Sequence, residues 1–172
     1  MKRVYDLANL TLCLLIGVLV YRAYPHLPER LPLHFNMAGQ PDRWSGRGGL
    51  VVLFLMPLVL TAVFYLMAYL VPRLGAGART VNIPHKEEFL RLPAEKRAVF
   101  WALFREFFAG FAAATNLIFY IFIRGTIDVA LGAKSLLPFK AGLPAFVLLG
   151  LLMAFYLWRL MTLPGKLIRG EL

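Results

Sequence analysis

The sequence predicts an all-α integral membrane protein with four transmembrane helices, a Pro-rich extracytoplasmic loop after the first helix and a basic cytoplasmic linker between the second and third. Hydrophobic residues make up 60% of the 172 residues, well above the roughly 45 to 50% of an ordinary soluble domain. They are concentrated in four runs, and each approaches the roughly 20 helical residues that cross a hydrocarbon core. Because these runs use most of the chain, we predict a single four-helix membrane domain over residues 1–172.

The predicted spans lie at about residues 7–24, 50–71, 99–123 and 143–163. Pro72 ends the second span, because proline cannot donate the backbone hydrogen bond that continues a helix. Pro93 followed by Glu95 is typical of a helix start, so the third helix is expected to project beyond the bilayer. The fourth span is expected to begin near Pro144 and to end at Pro164-Gly165. Residues 125–140 are expected to form a loop with a short helix around 127–131.

Lysine and arginine residues predict the orientation. Twelve lie at the N-terminus, in the region 73–105 and near the C-terminus, and seven lie on the opposite side of the predicted spans. The positive-inside rule then places both termini in the cytoplasm of a multi-pass protein in the cytoplasmic (inner) membrane. The outer Pro-rich segment 24–49 faces outward on this topology, and the inner linker 73–98 faces inward.

The net charge of +10 does not indicate a nucleic-acid-binding protein, because the basic residues flank apolar runs and form no single stripe. Anionic lipid headgroups are the expected counterions. The single cysteine, Cys13, lies inside the first apolar run. It excludes an internal disulfide, and we interpret it as a packing residue. No cofactor is predicted.

The outer segment contains a short strand pattern. Leu31, Leu33 and Phe35 alternate with polar or proline positions, so His34 and Asn36 are expected to share one face. Asn36-Met37-Ala38-Gly39 is typical of a turn, with glycine supplying a positive φ. That turn brings Asp42 back toward His34.

This geometry suggests a small polar site for a peptide or another ligand. The residues we assign to it are His34, Asn36, Asp42, Trp44 and His26. A metal-assisted membrane enzyme that uses His26, His34 and Asp42 is an alternative, although zinc requires three or four ligands and no recognised zinc spacing is present. A third interpretation is that His34 and Asp42 bond backbone groups and only stabilise an irregular lid.

The inner linker carries a second polar group of Asn82, His85 and Glu88. A histidine beside carboxylates can act as an acid or base near neutral pH, although such clusters also occur at solvated helix starts. On the third span, Glu106 near the hydrocarbon is expected to find a partner, for which Arg159 is the candidate.

Small residues from Gly110 to Thr115 mark a packing face on the third span. Thr115 and Asn116 are interpreted as interhelical hydrogen-bonding residues. The same face suggests a further alternative, an accessory subunit that docks another membrane protein through it. Oligomerisation is compatible with these patterns.

Two motifs carry a family resemblance. The order Pro28-x3-Pro32-x-His34-Phe35-Asn36-x2-Gly39-x-Pro41-Asp42-x-Trp44, placed directly after a first span, resembles a bacterial membrane family of unknown function. The domain of that family is also found in the Sdp-type immunity protein, which protects producing cells from a secreted toxic peptide. Asn82-Ile83-Pro84-His85-Lys86 looks like the inner linker of small proteins in the same family.

The resemblance implies a polytopic protein of the cytoplasmic membrane that acts in toxin immunity or sensing. The immunity protein is longer and has additional spans that this chain lacks. We therefore expect a non-catalytic protein whose outer segment binds a peptide or small ligand, with a peptide toxin or another membrane protein as the partner.

Overall fold

Four long helices, one short helix and a two-stranded hairpin form the part of the chain that the computed structural model describes, residues 2–74, 81–137 and 139–171. The elements in chain order are α1 (Lys2–Ala23), β1 (Arg30–Phe35), β2 (Pro41–Gly46), α2 (Gly48–Leu70), α3 (Lys86–Arg91), α4 (Ala94–Ala130) and α5 (Phe139–Arg169). A single 3-10 turn, Tyr24–His26, links α1 to the hairpin. Residues 75–80 of the predicted inner linker lie outside the described residues.

Helices α1, α2, α4 and α5 are long and apolar enough to cross a membrane. Many of their large apolar side chains are exposed, as expected for surfaces that contact lipid rather than water. The fold is mostly helical. It differs from the predicted all-α class because the outer segment folds into a β-hairpin.

The helices are longer than the apolar runs on which the predicted spans were based. Helix α1 begins at Lys2, where Lys2 and Asp6 form an ion pair one turn apart at 2.6 Å. Helix α4 has 37 residues, about 55 Å at 1.5 Å per residue. It continues through Gly125 to Ala130, so the predicted separate short helix is part of α4.

The expected boundaries of the fourth helix were wrong at both ends. Helix α5 contains Pro144 and Pro164 in its interior and continues to Arg169. Leu167 lies beyond Pro164 and is buried against the α3 segment and α4. Packing of the last helical turns therefore outweighs the local preference of Pro164-Gly165 for ending a helix.

Side-chain contacts show that the long helices alternate in direction. Tyr65 near the end of α2 bonds Asp6 near the start of α1, and Tyr156 in the second half of α5 bonds Tyr5. We call this the linker end of the bundle. The opposite hairpin end carries the β-hairpin and residues 131–137.

Each end has its own buried cluster. At the hairpin end, α1, β1, α2 and α4 contribute a cluster that includes Ile16, Leu31, Leu50 and Ile123, all fully buried. At the linker end, Phe89 of α3 packs with residues of α4 and α5 in a second cluster. The Phe89 and Phe100 rings meet edge to face at 5.1 Å between centroids. Buried side chains thus attach both the hairpin and the short helix α3 to the long helices.

Candidate binding surface

The hairpin turn is organised by Asn36. Its Oδ1 accepts hydrogen bonds from the backbone N–H groups of Ala38 and Gln40, both at 3.0 Å. Its backbone N–H donates to the carbonyl of Gln40 at 2.9 Å, and its carbonyl accepts from Gly39 at 2.8 Å. Its Nδ2 also donates to Gln40 Oε1 at 3.1 Å, so the Asn36 side chain stabilises the turn.

Gly39 attaches this turn to the helix bundle. It has a left-handed φ of +79°, and its carbonyl accepts a hydrogen bond from the N–H of Leu137 at 2.8 Å. A Cβ on this residue would lie only 2.5 Å from the carbonyl oxygen of Leu137. Glycine is therefore required for both the backbone conformation and the close approach.

Strand β1 forms the inner side of the hairpin. Leu31 and Phe35 are buried, and the Phe35 ring meets Phe122 of α4 edge to face at 6.1 Å between centroids. Pro32 is buried as well, which departs from the predicted alternation. The register of the hairpin shifts after Pro32, between Pro32 and His34, and again between His34 and Phe35, so strict alternation is not kept through the second half of β1.

His34 and Asp42 meet across the two strands. His34 Nδ1 lies 2.5 Å from Asp42 Oδ1, and the two side chains are 58% and 39% exposed. Asp42 and Trp44 both belong to β2, and both are exposed. Trp44 is 58% exposed and does not rest in the core. We call His34, Asp42 and Trp44 the hairpin face.

Strand β2 is the outer edge of the sheet. Its only partner strand is β1 within the described residues, and every residue of β2 except Pro41 is exposed. The neighbouring turn residue Met37 is 92% exposed. An edge strand presents backbone N–H and C=O groups that another extended chain can pair with.

His26 does not join the hairpin face. It lines a separate groove between α1 and α4, together with Arg22, Arg124 and Asp128. Among the described residues, no three His, Cys, Asp or Glu side chains come together in a way that could hold a metal ion. The geometry thus offers no support for the alternative of a metal site built from His26, His34 and Asp42.

At the linker end, the side chains of Asn82, His85 and Glu88 are exposed. His85 precedes α3 in a left-handed conformation with φ of 53°, and its carbonyl accepts from the N–H of Phe89 at 2.9 Å. The buried residues of this segment are Ile83 and Phe89. The arrangement is that of a solvated helix start held by two apolar side chains.

The expected Glu106–Arg159 ion pair is not formed. Glu106 instead accepts a hydrogen bond at 3.0 Å from Tyr156, which lies one turn before Arg159 on α5. Tyr156 is only 1% exposed. The Arg159 guanidinium lies 5.7 Å from the centroid of the Phe155 ring. The partner of Glu106 is therefore the buried phenol of Tyr156 and not the predicted arginine.

A polar network crosses the interior between α1, α2 and α4. Asn116 is fully buried, and its side-chain N–H₂ donates to Asn9 Oδ1 at 2.8 Å and to Thr61 Oγ1 at 2.9 Å. Asn9 donates in turn to the carbonyl of Ala109 at 2.9 Å and to the hydroxyl of Tyr65 at 3.2 Å. These contacts agree with the interpretation of Asn116 as an interhelical hydrogen-bonding residue.

The network continues to the linker end. The Tyr65 hydroxyl donates to Asp6 at 2.6 Å, and Asp6 also pairs with Lys2. Sequence reasoning missed most of these partners. A signal was present, because Asp6, Asn9 and Cys13 recur every three or four residues along one side of α1.

The small-residue face of α4 is covered by the chain's own helices. Ala109, Gly110, Ala112 and Ala114 are buried. A Cβ on Gly110 would lie 3.3 Å from the ring of Tyr5. At Gly110, this face therefore packs against α1 of the same chain.

Four apolar helices around a buried polar network, with a hairpin at one end, are consistent with a multi-pass helical membrane protein. Residues 11–70 match the model of a protein family described as a domain of unknown function (DUF1648). The matched region covers the second half of α1, the hairpin and α2. No curated protein and no solved structure matches the chain.

Proposed function

We propose that this chain is a non-catalytic, multi-pass protein of the cytoplasmic membrane whose hairpin faces outward and binds an extended peptide in an immunity or sensing role. The observation that carries the proposal is the exposed hairpin face on an edge strand that is firmly attached to the helices. A rigid edge binds a peptide at a lower entropic cost than a flexible loop, because less conformational freedom is lost.

The expected mode of binding is the addition of a peptide strand to β2. Backbone hydrogen bonds supply affinity in this mode, and side chains that alternate along the strand supply specificity. Trp44 and Met37 offer apolar contact area, and the His34–Asp42 pair offers hydrogen-bonding groups. Exposed aromatic residues are frequent anchors of binding surfaces.

The orientation rests on the distribution of basic residues. The linker end includes most of the twelve lysines and arginines that we assign to the cytoplasmic side, against seven on the hairpin side. The immunity role rests on the resemblance of the hairpin motif to the Sdp-type immunity protein. The residues of this motif lie within the range 11–70 that matches the domain of unknown function.

Cysteine labelling tests the orientation. Met37→Cys and Glu88→Cys are each made in a Cys13→Ser background, so that one exposed thiol is present at either end of the bundle. A membrane-impermeant maleimide is expected to label Met37→Cys in intact cells and Glu88→Cys only after lysis. The opposite pattern would place the hairpin in the cytoplasm and reject an outward-facing binding surface.

Peptide binding is tested with the secreted toxic peptide of an Sdp-type system as the probe. The fluorescently labelled peptide is titrated onto the purified protein in lipid nanodiscs, and the tolerance of cells that express the protein is measured in parallel. Trp44→Ala is expected to weaken binding about tenfold or more, as for an aromatic anchor. Glu29→Gln, an exposed change next to the hairpin, is the control. Equal affinity of Trp44→Ala and the unchanged protein, or no binding by either, would refute the proposal.

A further inference from the structure

The groove between α1 and α4 at the hairpin end combines a charged rim with an apolar wall. It has a volume of about 380 Å³. Arg22, His26, Arg124 and Asp128 form the rim. The remaining lining is mostly apolar and includes Leu15, Val18, Leu19, Ile127 and Leu131.

The rim has an excess of positive charge. Asp128 is its single carboxylate, and this side chain pairs with Arg124 Nε at 3.0 Å and with Lys134 Nζ at 2.9 Å. Two cations therefore surround one anion. Arg22 adds another positive charge to the same rim, and the His26 ring adds a nitrogen. The pairing with Asp128 also holds the Arg124 guanidinium at the groove.

We propose that this groove binds an anionic phospholipid. The phosphate of the headgroup contacts Arg22 and Arg124 at the rim, and part of an acyl chain lies along Val18 and Leu19. Arginine suits this role because its planar donor groups match phosphate oxygens.

Two observations favour a lipid over a soluble anion. The apolar wall continues directly from the charged rim, which matches the order of polar and apolar groups in a phospholipid. Leu15 and Val18 are exposed on the outer surface of α1, so an acyl chain reaches them from the hydrocarbon without crossing the protein. The inference requires the proposed membrane insertion but not peptide binding by the hairpin.

Native mass spectrometry of the intact protein in mild detergent tests the site with phosphatidylglycerol as the probe. We expect phosphatidylglycerol to bind more tightly than phosphatidylcholine. Arg22→Gln is expected to weaken phosphatidylglycerol binding about tenfold, the effect of losing one charge-assisted contact. Arg43→Gln is the matched control, since it removes the same charge from the exposed hairpin at the same end, and it is expected to bind like the unchanged protein.

A second variant separates the lipid from other anions. Val18→Trp fills the apolar part of the groove without changing any charge, and it is expected to weaken phosphatidylglycerol binding as well. Inorganic phosphate at millimolar concentration is expected not to displace the lipid. The proposal is overturned if Arg22→Gln and Arg43→Gln bind equally, if phosphatidylcholine binds as tightly, or if free phosphate alone occupies the groove. Arg22→Gln and Val18→Trp leave the hairpin unchanged. A negative result for lipid binding by these variants therefore does not bear on whether the hairpin binds a peptide.

Discussion

Replacement of Asn116 by leucine is expected to destabilise the helix bundle. Leucine has the same branched skeleton of four heavy atoms as asparagine, so the change removes hydrogen bonds without opening a cavity. The Asn116 side chain donates to Asn9 and Thr61, and its Oδ1 also accepts from Thr61 at 3.2 Å. Asn116→Leu therefore leaves Asn9 and Thr61 without these partners in a buried place.

The magnitude follows from the contacts. Interhelical hydrogen bonds inside membranes contribute about 0.6 kcal/mol each on average and up to about 1.7 kcal/mol. A buried polar group left without a partner costs about 1–3 kcal/mol. We expect Asn116→Leu to lower the free energy of unfolding by about 2–4 kcal/mol.

Unfolding in mixed detergent micelles by increasing sodium dodecyl sulfate, followed by circular dichroism, measures this change. Thr115→Ala is the control, because Thr115 is adjacent on α4, is half-buried and has no side-chain hydrogen bond to the described residues. We expect it to change stability by less than about 0.5 kcal/mol. When Thr61 is already replaced by valine, Asn116→Leu is expected to lower the free energy of unfolding by about 1 kcal/mol less than it does in the unchanged protein. The reason is that the hydrogen bonds between Asn116 and Thr61 are then already lost. Equal stability of Asn116→Leu and Thr115→Ala would refute the stabilising role of the network.

Two further substitutions test how the hairpin and α3 are attached. Gly39→Ala is expected to raise the rate of amide hydrogen exchange in the hairpin turn by more than Gly132→Ala does. Both glycines have a positive φ, but of the two only Gly39 would place a Cβ against a backbone oxygen, that of Leu137. Equal exchange rates in the two variants would refute the close contact. Phe89→Ala is expected to lower the free energy of unfolding by about 3–5 kcal/mol in the same detergent assay. The control Glu88→Ala, at an exposed position, is expected to lower it by less than about 0.5 kcal/mol. Similar values for the two variants would contradict the buried position of Phe89.

The amino-acid pattern was informative wherever a property depends on residues close together in the chain. Apolar runs of sufficient length identified four helices that could span a membrane. Asn36, Gly39 and the alternation after Pro28 indicated a strand and a turn. These features depend on backbone propensity and on transfer from water to an apolar environment, and both act over short stretches of chain.

Helix ends and side-chain partners were predicted less well. Helix α5 continues past Pro164 because Leu167 is buried against another part of the chain. Glu106 bonds Tyr156 rather than Arg159, since the rotation of α5 about its axis decides which side chain faces α4. Neither contact can be inferred from local sequence.

By itself, the sequence determined the number of apolar helices and the presence of a structured, proline-rich segment between the first two. The local pattern also predicted that the turn brings Asp42 toward His34, and the two side chains do meet. Only the tertiary structure decided that His26 lies in a different groove and that Asn9, Thr61 and Asn116 form one network. The physical reason is that helix rotation and strand register are set by packing among distant residues. A rotation of one helix changes every partner along its face, while leaving its hydrophobic composition unchanged.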